Sequence, residues 1–250
     1  PLSAERVTRA NAQAAAAGAT RDVPPERTRE YFNAIRGMIY GDDPEQGFVN
    51  GRTFSHPTLR IAFEAPEGFT LTNTPAAVQI GGENGRAQFG GGALPAEGLE
   101  AYASGVLRQF LGQAPSEVGR VTTSTTNGLQ TATAPARARN QQGQVLDVQV
   151  TAYSVGDRAY HFVTLAPSGG SAVFAAMLRS MRQLTTQEAA ALRARQIEIV
   201  EVRSGDTAAS LSRRMAFTDF QLERFLALNG LSEGEGLRAG QQVKIVTYAR

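Results

Sequence analysis

The C-terminal segment alternates strand and helix signals in an order that few folds accommodate. Residues 197–202 alternate branched apolar and polar side chains, as a strand with one buried face does. Gly205 permits a tight turn, and Asp206 or Thr207 can cap the helix that follows. Two short amphipathic helices come next, the second ended by Asn229 and a glycine, and an apolar strand closes the segment. The pattern therefore predicts a small βααβ module.

The two ends of this module resemble the LysM family. In that family an apolar strand leads into a Gly-Asp-Thr turn, an Asn stands in the middle, and the ending reads Leu-x-x-Gly-Gln-x-Val-x-Ile, as it does here from Leu237 to Ile245. The resemblance covers residues 197–246. It implies binding of peptidoglycan or another N-acetylglucosamine-containing glycan in a shallow groove. Carried onto this sequence, the glycan-binding residues would be Gly205, Asp206, Thr207, Asn229, Gly230 and Leu231.

One position departs from the pattern of glycan-binding LysM members. Many of them have an aromatic or large residue two places after the Thr of the turn, where this sequence has Ala209. The chain also contains no Trp, so it offers few aromatic platforms on which a sugar ring could stack. A LysM-shaped structural cap that binds no sugar is therefore the alternative reading of the module.

Composition excludes several functional classes. The 250 residues allow one or two domains with ordinary hydrophobic content, and no apolar run reaches the ~18 residues that a membrane span needs. The first residues lack the basic and apolar regions of a signal peptide. Cysteine is absent, which excludes disulfides and thiolate chemistry. The net charge is +2, but the basic residues are scattered rather than gathered into a stripe, so no nucleic-acid partner is expected.

Ahead of the module, the sequence predicts a helical lead and a β-rich middle. Residues 3–17 and 26–40 are expected to form helices, with Tyr31, Ile35, Met38 and Ile39 on one side of the second. In the middle, the segments 145–153 and 159–165 read as strands, the latter at the sheet centre, and residues 97–111 and 171–183 read as helices. This order predicts an α+β fold, an antiparallel sheet with covering helices.

The predicted organisation has four segments. Residues 1–51 form the helical lead, residues 52–185 the α+β domain, residues 186–196 a helical or semi-rigid linker, and residues 197–250 the LysM-like module.

A second resemblance covers the rest of the chain. Residues 1–6, 40–42 and 54–59 look like the C-terminal region of BepA-like periplasmic zinc metallopeptidases, bacterial relatives of the CAAX prenyl protease. In that family a His-Pro-Leu segment and an Arg four residues beyond it end the catalytic domain, and Arg6 matches that active-site-proximal Arg. The family His would precede Pro1. The middle is similar to the PsbP-like domain of some of these proteases, marked by the phrase at 62–69.

The resemblance implies zinc in the parent protease, but the chain lacks the corresponding ligands. A catalytic zinc of this class needs two His one helical turn apart with a Glu between them. The only histidines are His56, before a proline, and His161, in an apolar strand, and neither has a His or acidic partner at ligand spacing. No metal, no cofactor and no enzymatic activity are therefore expected of this chain. A glycan hydrolase with two carboxylates across a cleft is the weakest alternative.

The sequence thus leads to one main hypothesis and one competitor. The chain would be the non-catalytic C-terminal region of a periplasmic or cell-envelope zinc metalloprotease, which anchors or positions the upstream catalytic domain at peptidoglycan. The competitor is a protein-interaction or regulatory scaffold that recognises envelope proteins and binds no glycan. An active peptidase would need residues upstream of Pro1.

Overall fold

A computed structural model describes residues 3–19 and 25–249 and divides the chain into two compact units. Unit 1 joins residues 1–40 to residues 195–250, and unit 2 comprises residues 41–194. The two segments of unit 1 are linked by backbone pairing, since the Tyr40 N–H donates to the Arg195 carbonyl at 2.8 Å. The segment boundaries predicted from the sequence differ from these and follow residues 51, 185 and 196. Pairing between residues 1–40 and 195–250 leaves no local signal in the sequence.

Unit 2 is an α+β structure built from twelve strands and three α-helices among the residues described. A single 3-10 turn, Ser171–Phe174, precedes its second helix. The helices are α3 (Leu99–Leu111), α4 (Ala175–Ser180) and α5 (Thr186–Ala191). The strands are β1 (Phe48–Asn50), β2 (Thr53–His56), β3 (Ile61–Glu64), β4 (Thr70–Asn73), β5 (Val78–Gly82), β6 (Gly85–Ala93), β7 (Ser116–Val118), β8 (Thr122–Thr126), β9 (Leu129–Arg139), β10 (Val145–Val155), β11 (Arg158–Pro167) and β12 (Arg182–Gln183).

These strands form two antiparallel sheets. The larger follows the order β4-β5-β6-β11-β10-β9-β7, with β8 also paired to β9, and the smaller follows β1-β2-β3-β12. The predicted α+β class with an antiparallel sheet is confirmed, and β11 lies at the sheet centre as the sequence indicates. The predicted helix at 171–183 is wrong in extent, because its first turn is a 3-10 helix and residues 182–183 pair with β3.

The larger sheet buries both of its faces. Val148, Val150 and Ala152 alternate along β10 and pack with helix α3, which covers one face with Ala103 and Leu107. The opposite face carries an aromatic core together with residues of the smaller sheet and of α4. The aromatic members of this core are Phe54, Phe63, Phe69, Phe89, Tyr153, Tyr160, Phe162 and Phe174.

A run of three glycines in β6 makes room for aromatic side chains of the neighbouring strand and helix. A Cβ added to Gly91 would lie 2.6 Å from a ring carbon of Tyr160, and one added to Gly92 would lie 3.4 Å from the Tyr102 hydroxyl. The run therefore serves side-chain packing across strands, which agrees with the absence of the Lys-Ser or Lys-Thr of a phosphate-binding loop in the sequence.

The C-terminal part of unit 1 has the predicted βααβ order. Strands β13 (Arg195–Glu201) and β14 (Gln242–Tyr248) pair antiparallel, and helices α6 (Ala208–Ser212) and α7 (Gln221–Asn229) lie between them in the chain. A small core joins both helices to both strands and the turn after β13. Its buried members are Val202, Leu211, Met215, Phe225, Val243, Ile245 and Val246.

The N-terminal part of unit 1 contributes helices α1 (Ser3–Ala16) and α2 (Pro25–Ile35) and then an extended segment. The prediction that the second helix continues to residue 40 is wrong, because Gly37 adopts a φ of +79° and the chain leaves the helix there. Met38 and Ile39, predicted on the helix face, instead lie in the extended segment and are exposed. Ile197 donates its N–H to Met38 and accepts from the Gly37 N–H. The segment thus covers one edge of β13.

Candidate functional site

The turn after β13 is held by its own polar side chains. The Asp206 carboxylate accepts the Arg203 N–H at 2.8 Å, which closes the turn around Gly205 at a φ of +87°. Thr207 then caps helix α6, as predicted, because its hydroxyl accepts the Ser210 N–H at 3.1 Å and the Ser210 hydroxyl lies 2.9 Å from the Thr207 nitrogen. This reciprocal capping box fixes the first predicted glycan-binding loop.

Asn229, at the end of helix α7, uses its side chain to tie that helix to strand β14. Its amide nitrogen donates to the carbonyls of Phe225 and Lys244, both at 2.9 Å, and its amide oxygen accepts the Lys244 N–H at 2.7 Å. Both amide protons are therefore committed to backbone carbonyls. The structure places this predicted binding residue in the framework of the module.

Gly230 and Leu231 complete the second predicted loop. Gly230 ends helix α7 in the left-handed conformation at a φ of +64°, which a residue with a side chain rarely adopts. The Leu231 N–H returns to the Leu226 carbonyl at 2.9 Å, and its side chain packs half-buried against the module core. The loop therefore presents mainly backbone at Gly230.

Both loops are anchored to a short stretch of chain at the start of strand β14, residues 241–244. The Val202 N–H, just before the first turn, donates to Gln241 at 2.8 Å, and Asn229 holds Lys244 three residues further along. The six predicted residues thus flank the start of β14. Sequence reasoning did not identify Gln241 or Lys244 as residues that position the two loops. The sequence signal at these positions is the Gly-Gln-x-Val-x-Ile ending, which indicates a strand and the LysM resemblance but not the bonds that Gln241 and Lys244 make.

The first loop offers free polar groups for a ligand. Among the residues that the structure describes, one oxygen of the Asp206 carboxylate makes no hydrogen bond, because only Oδ2 is used. The Thr207 hydroxyl accepts a bond but donates none within the same part of the chain, and it is exposed. An acceptor beside a donor suits the hydroxyl and amide groups of an amino sugar. Ala209 is exposed on α6 and provides no aromatic surface.

An aromatic ring lies instead beside the only lysine of the chain. Tyr31, on helix α2, is 51% exposed, and the Lys244 ammonium lies 5.7 Å from its ring centroid. The contact is a cation–π arrangement. Because the backbone of Lys244 is held by Asn229, this ring belongs to the surroundings of the second loop.

The two histidines are buried to different degrees and have hydrogen-bond partners within unit 2. His56 is buried, and its Nδ1 accepts the Leu59 N–H at 3.3 Å; burial lowers its pKa, against an opposing hydrogen bond to the Glu45 backbone. His161 Nδ1 lies 2.8 Å from the Tyr102 hydroxyl, and burial lowers its pKa to about 4. Within residues 3–19 and 25–249, no group of three or more His, Cys, Asp or Glu side chains could hold a metal.

The low pKa of His161 predicts an acid-sensitive unit 2. The unfolded chain binds this proton near pH 6.5, whereas the folded chain binds it only near pH 4. The neutral His161 therefore contributes its full stabilisation above pH 6.5, and this contribution is lost as the pH falls from 6.5 to 4. We expect a loss of about 2 kcal/mol in the free energy of unfolding between pH 7 and pH 4.5, allowing for partial exposure. Urea unfolding of wild type and His161→Phe at both pH values measures it. Equal pH dependence in the two proteins would contradict the assignment.

Arg6, the residue matched to an active-site-proximal Arg, lies exposed in helix α1. In the described ranges, no helix is both long and apolar enough to cross a membrane.

Comparisons with solved structures found distant similarities. Cyanobacterial PsbP (CyanoP) from Synechocystis sp. PCC 6803 is 12% identical, with a TM-score of 0.42 over 55% of this chain and 98% of that one. LpqN, described as involved in cell envelope biogenesis of Mycobacterium tuberculosis, is 10% identical, with a TM-score of 0.39 over 63% of this chain and 96% of that one. Similarity at this level carries no argument about function.

Sequence comparisons give a match to the C-terminal module. No curated protein sequence matches the chain. The LysM domain family matches residues 200–246, which include both loops and most of strand β14. The protein therefore carries a LysM domain at its C-terminus.

Proposed function

We propose that this chain binds peptidoglycan, or another N-acetylglucosamine-containing glycan, through its C-terminal domain. The observation that carries the proposal is the LysM match over residues 200–246, on a module whose two loops are both anchored to residues 241–244 at the start of β14. The free groups of Asp206 and Thr207 and the exposed backbone at Gly230 are the proposed contacts. Binding to such a glycan would put the protein in the periplasm or cell envelope.

The second part of the proposal is the role that glycan binding has in the whole protein. The chain would be the non-catalytic region of an envelope zinc metalloprotease, with Arg6 near the end of the catalytic domain and zinc held upstream by residues outside this chain. In that arrangement the chain has no enzymatic activity and needs no cofactor. Attachment to the wall would raise the local concentration of the protease near its substrates. This effect depends more on how far the linker between the domains reaches than on tight glycan binding.

Cosedimentation with isolated cell-wall sacculi tests the glycan contact directly. The purified chain is mixed with sacculi over a range of salt concentrations, and soluble N-acetylglucosamine oligomers serve as competitor. We expect the chain in the pellet and its release by the competitor. Protein that stays in the supernatant at every salt concentration would refute the proposal. Reading the parent gene for a His-Glu-x-x-His segment tests the protease part separately.

A pair of variants separates glycan contact from helix capping. Thr207→Val and Ser210→Ala each break one half of the same capping box, so each should cost about 1 kcal/mol of stability. Only Thr207 lies in the proposed groove. We expect Thr207→Val to weaken sacculus binding about fivefold relative to wild type, the effect of one lost hydrogen bond, and Ser210→Ala to leave it nearly unchanged. Equal weakening by both variants would mean that Thr207 acts only through the fold.

A second candidate is supported by particular residues of the same module. Asn229 uses both of its amide protons within the fold, and Ala209 offers no stacking surface. These features fit a LysM-shaped cap in a protein-interaction or regulatory scaffold. Affinity capture from a wall-free envelope extract distinguishes the two candidates. Specific recovery of envelope proteins without sacculus binding would favour the scaffold.

A further inference from the structure

Strand β8 lies at an edge of the larger sheet in unit 2. It pairs with β9 on one side, and no other described strand pairs with it. Its sequence is Thr-Thr-Ser-Thr-Thr, without a charged residue or a proline, and four of its five residues are exposed. Natural proteins usually protect sheet edges with charges, prolines or very short strands. This edge has none of these protections.

The hairpin geometry shows which backbone groups face outward. Asn127 and Gly128 form the two-residue turn between β8 and β9, with φ angles of +49° and +81° typical of a type I′ turn. Thr126 and Leu129 then form a hydrogen-bonded pair, and the pairs alternate along an antiparallel ladder. The backbone groups of Thr123 and Thr125 therefore point away from β9. Within the described part of the chain, their two N–H donors and two carbonyl acceptors face no paired strand.

A groove lies along the same edge. It has a volume of about 790 Å³ and runs between β8 and the first turn of helix α3. The register pairs Thr123 with Ala132, which packs on the α3 side of the sheet, so the Thr123 and Thr125 side chains face this groove. The edge and the groove form one continuous surface, which we call the β8 edge groove.

The wall of the β8 edge groove is acidic. Glu97, which precedes helix α3, and Glu100, in its first turn, line the groove. Both are exposed, and neither forms an ion pair in the described part of the chain. No basic residue lines the groove. A segment that pairs with β8 would place alternate side chains over the groove, where positive charge is favoured.

We propose that the β8 edge groove binds an extended segment of a partner protein that carries basic side chains at alternate positions. The segment would add a strand to the sheet, with its backbone bonded to Thr123 and Thr125 and its basic side chains beside Glu97 and Glu100. Strand addition of this kind derives affinity from main-chain bonds and specificity from alternate side chains. The proposal concerns unit 2 and is independent of glycan binding by unit 1.

A blocked, fluorescein-labelled peptide of about seven residues, alternating valine and arginine, is a suitable probe. Fluorescence anisotropy with the intact chain measures its binding, and a peptide with glutamate in place of arginine is the charge control. Thr125→Pro removes an outward N–H without breaking a bond to β9, whereas Thr125→Val keeps that N–H. We expect Thr125→Pro to weaken binding about tenfold and Thr125→Val to change it less than twofold.

The double variant Glu97→Gln with Glu100→Gln is expected to weaken binding and to reduce its salt dependence. Circular dichroism and thermal unfolding verify that each variant folds. Absence of binding to wild type, or equal binding by wild type and folded Thr125→Pro, would overturn the proposal. A third outcome would also overturn the proposal: the peptide does not bind, but the chain self-associates and Thr125→Pro abolishes this self-association. The groove would then bind a second copy of the chain.

Discussion

Replacing Phe63 with alanine is expected to lower the free energy of unfolding of unit 2 by about 4 kcal/mol. Phe63 is 2% exposed, and its ring centroid lies 5.2, 4.9 and 4.8 Å from those of Phe54, Phe89 and Phe162. It therefore joins the smaller sheet to the aromatic face of the larger one. Truncation removes these contacts and leaves a cavity that neighbouring rings can fill only in part.

Urea unfolding followed by near-ultraviolet circular dichroism measures this loss. Phe110→Ala is the matched control, because Phe110 is 47% exposed and its truncation should cost under about 1 kcal/mol. The LysM domain has a separate core in unit 1, so Phe63→Ala should retain sacculus binding at a temperature that unfolds unit 2. A change below about 1 kcal/mol would contradict the packing argument, and parallel loss of binding would contradict the independence of the units.

The parts of the fold that the sequence predicts are those with a local period. Strand β10 alternates apolar and polar residues from Leu146 to Ala152, and Val148, Val150 and Ala152 pack with α3. The βααβ order of the C-terminal module follows from capping and turn residues such as Thr207 and Gly230. These signals reside in neighbouring residues, so a single sequence contains them.

Pairing between distant segments has no such signal. Met38 and Ile39 extend the helical pattern of α2 in sequence, yet the Gly37 conformation and bonds to Ile197 place them beside β13 instead. Strand β8 was not predicted either, because its threonines and serine lack an apolar alternation. The Asn127-Gly128 turn, a common hairpin signal, could have indicated it.

In the candidate site, too, the sequence predicts some features and only the structure shows others. The sequence locates both loops, and the structure shows how each is held, but only the structure separates residues with free polar groups from residues that support the loops. Asp206 and Thr207 retain unused hydrogen-bonding capacity, whereas Asn229 is bonded to Phe225 and Lys244. The Asn that marks the middle of the LysM pattern is therefore best explained here by the fold.

Substitution of Asn229 by leucine tests that explanation and is expected to lower the free energy of unfolding of unit 1 by about 3 kcal/mol. The change removes three hydrogen bonds and leaves the backbone N–H and carbonyl of Lys244 and the carbonyl of Phe225 without their partner. Thermal unfolding followed by far-ultraviolet circular dichroism measures the loss.

Asn229→Asp is the matched variant. Its carboxylate can still accept the Lys244 N–H but cannot donate to either carbonyl, so its stability should also fall below that of wild type. If Asn229 supports the loops, sacculus binding should fall in proportion to the unfolded fraction of each variant and recover on cooling. If a fully folded Asn229→Leu protein lost sacculus binding, Asn229 would instead be a direct glycan contact, because the loss of binding could not then be explained by unfolding.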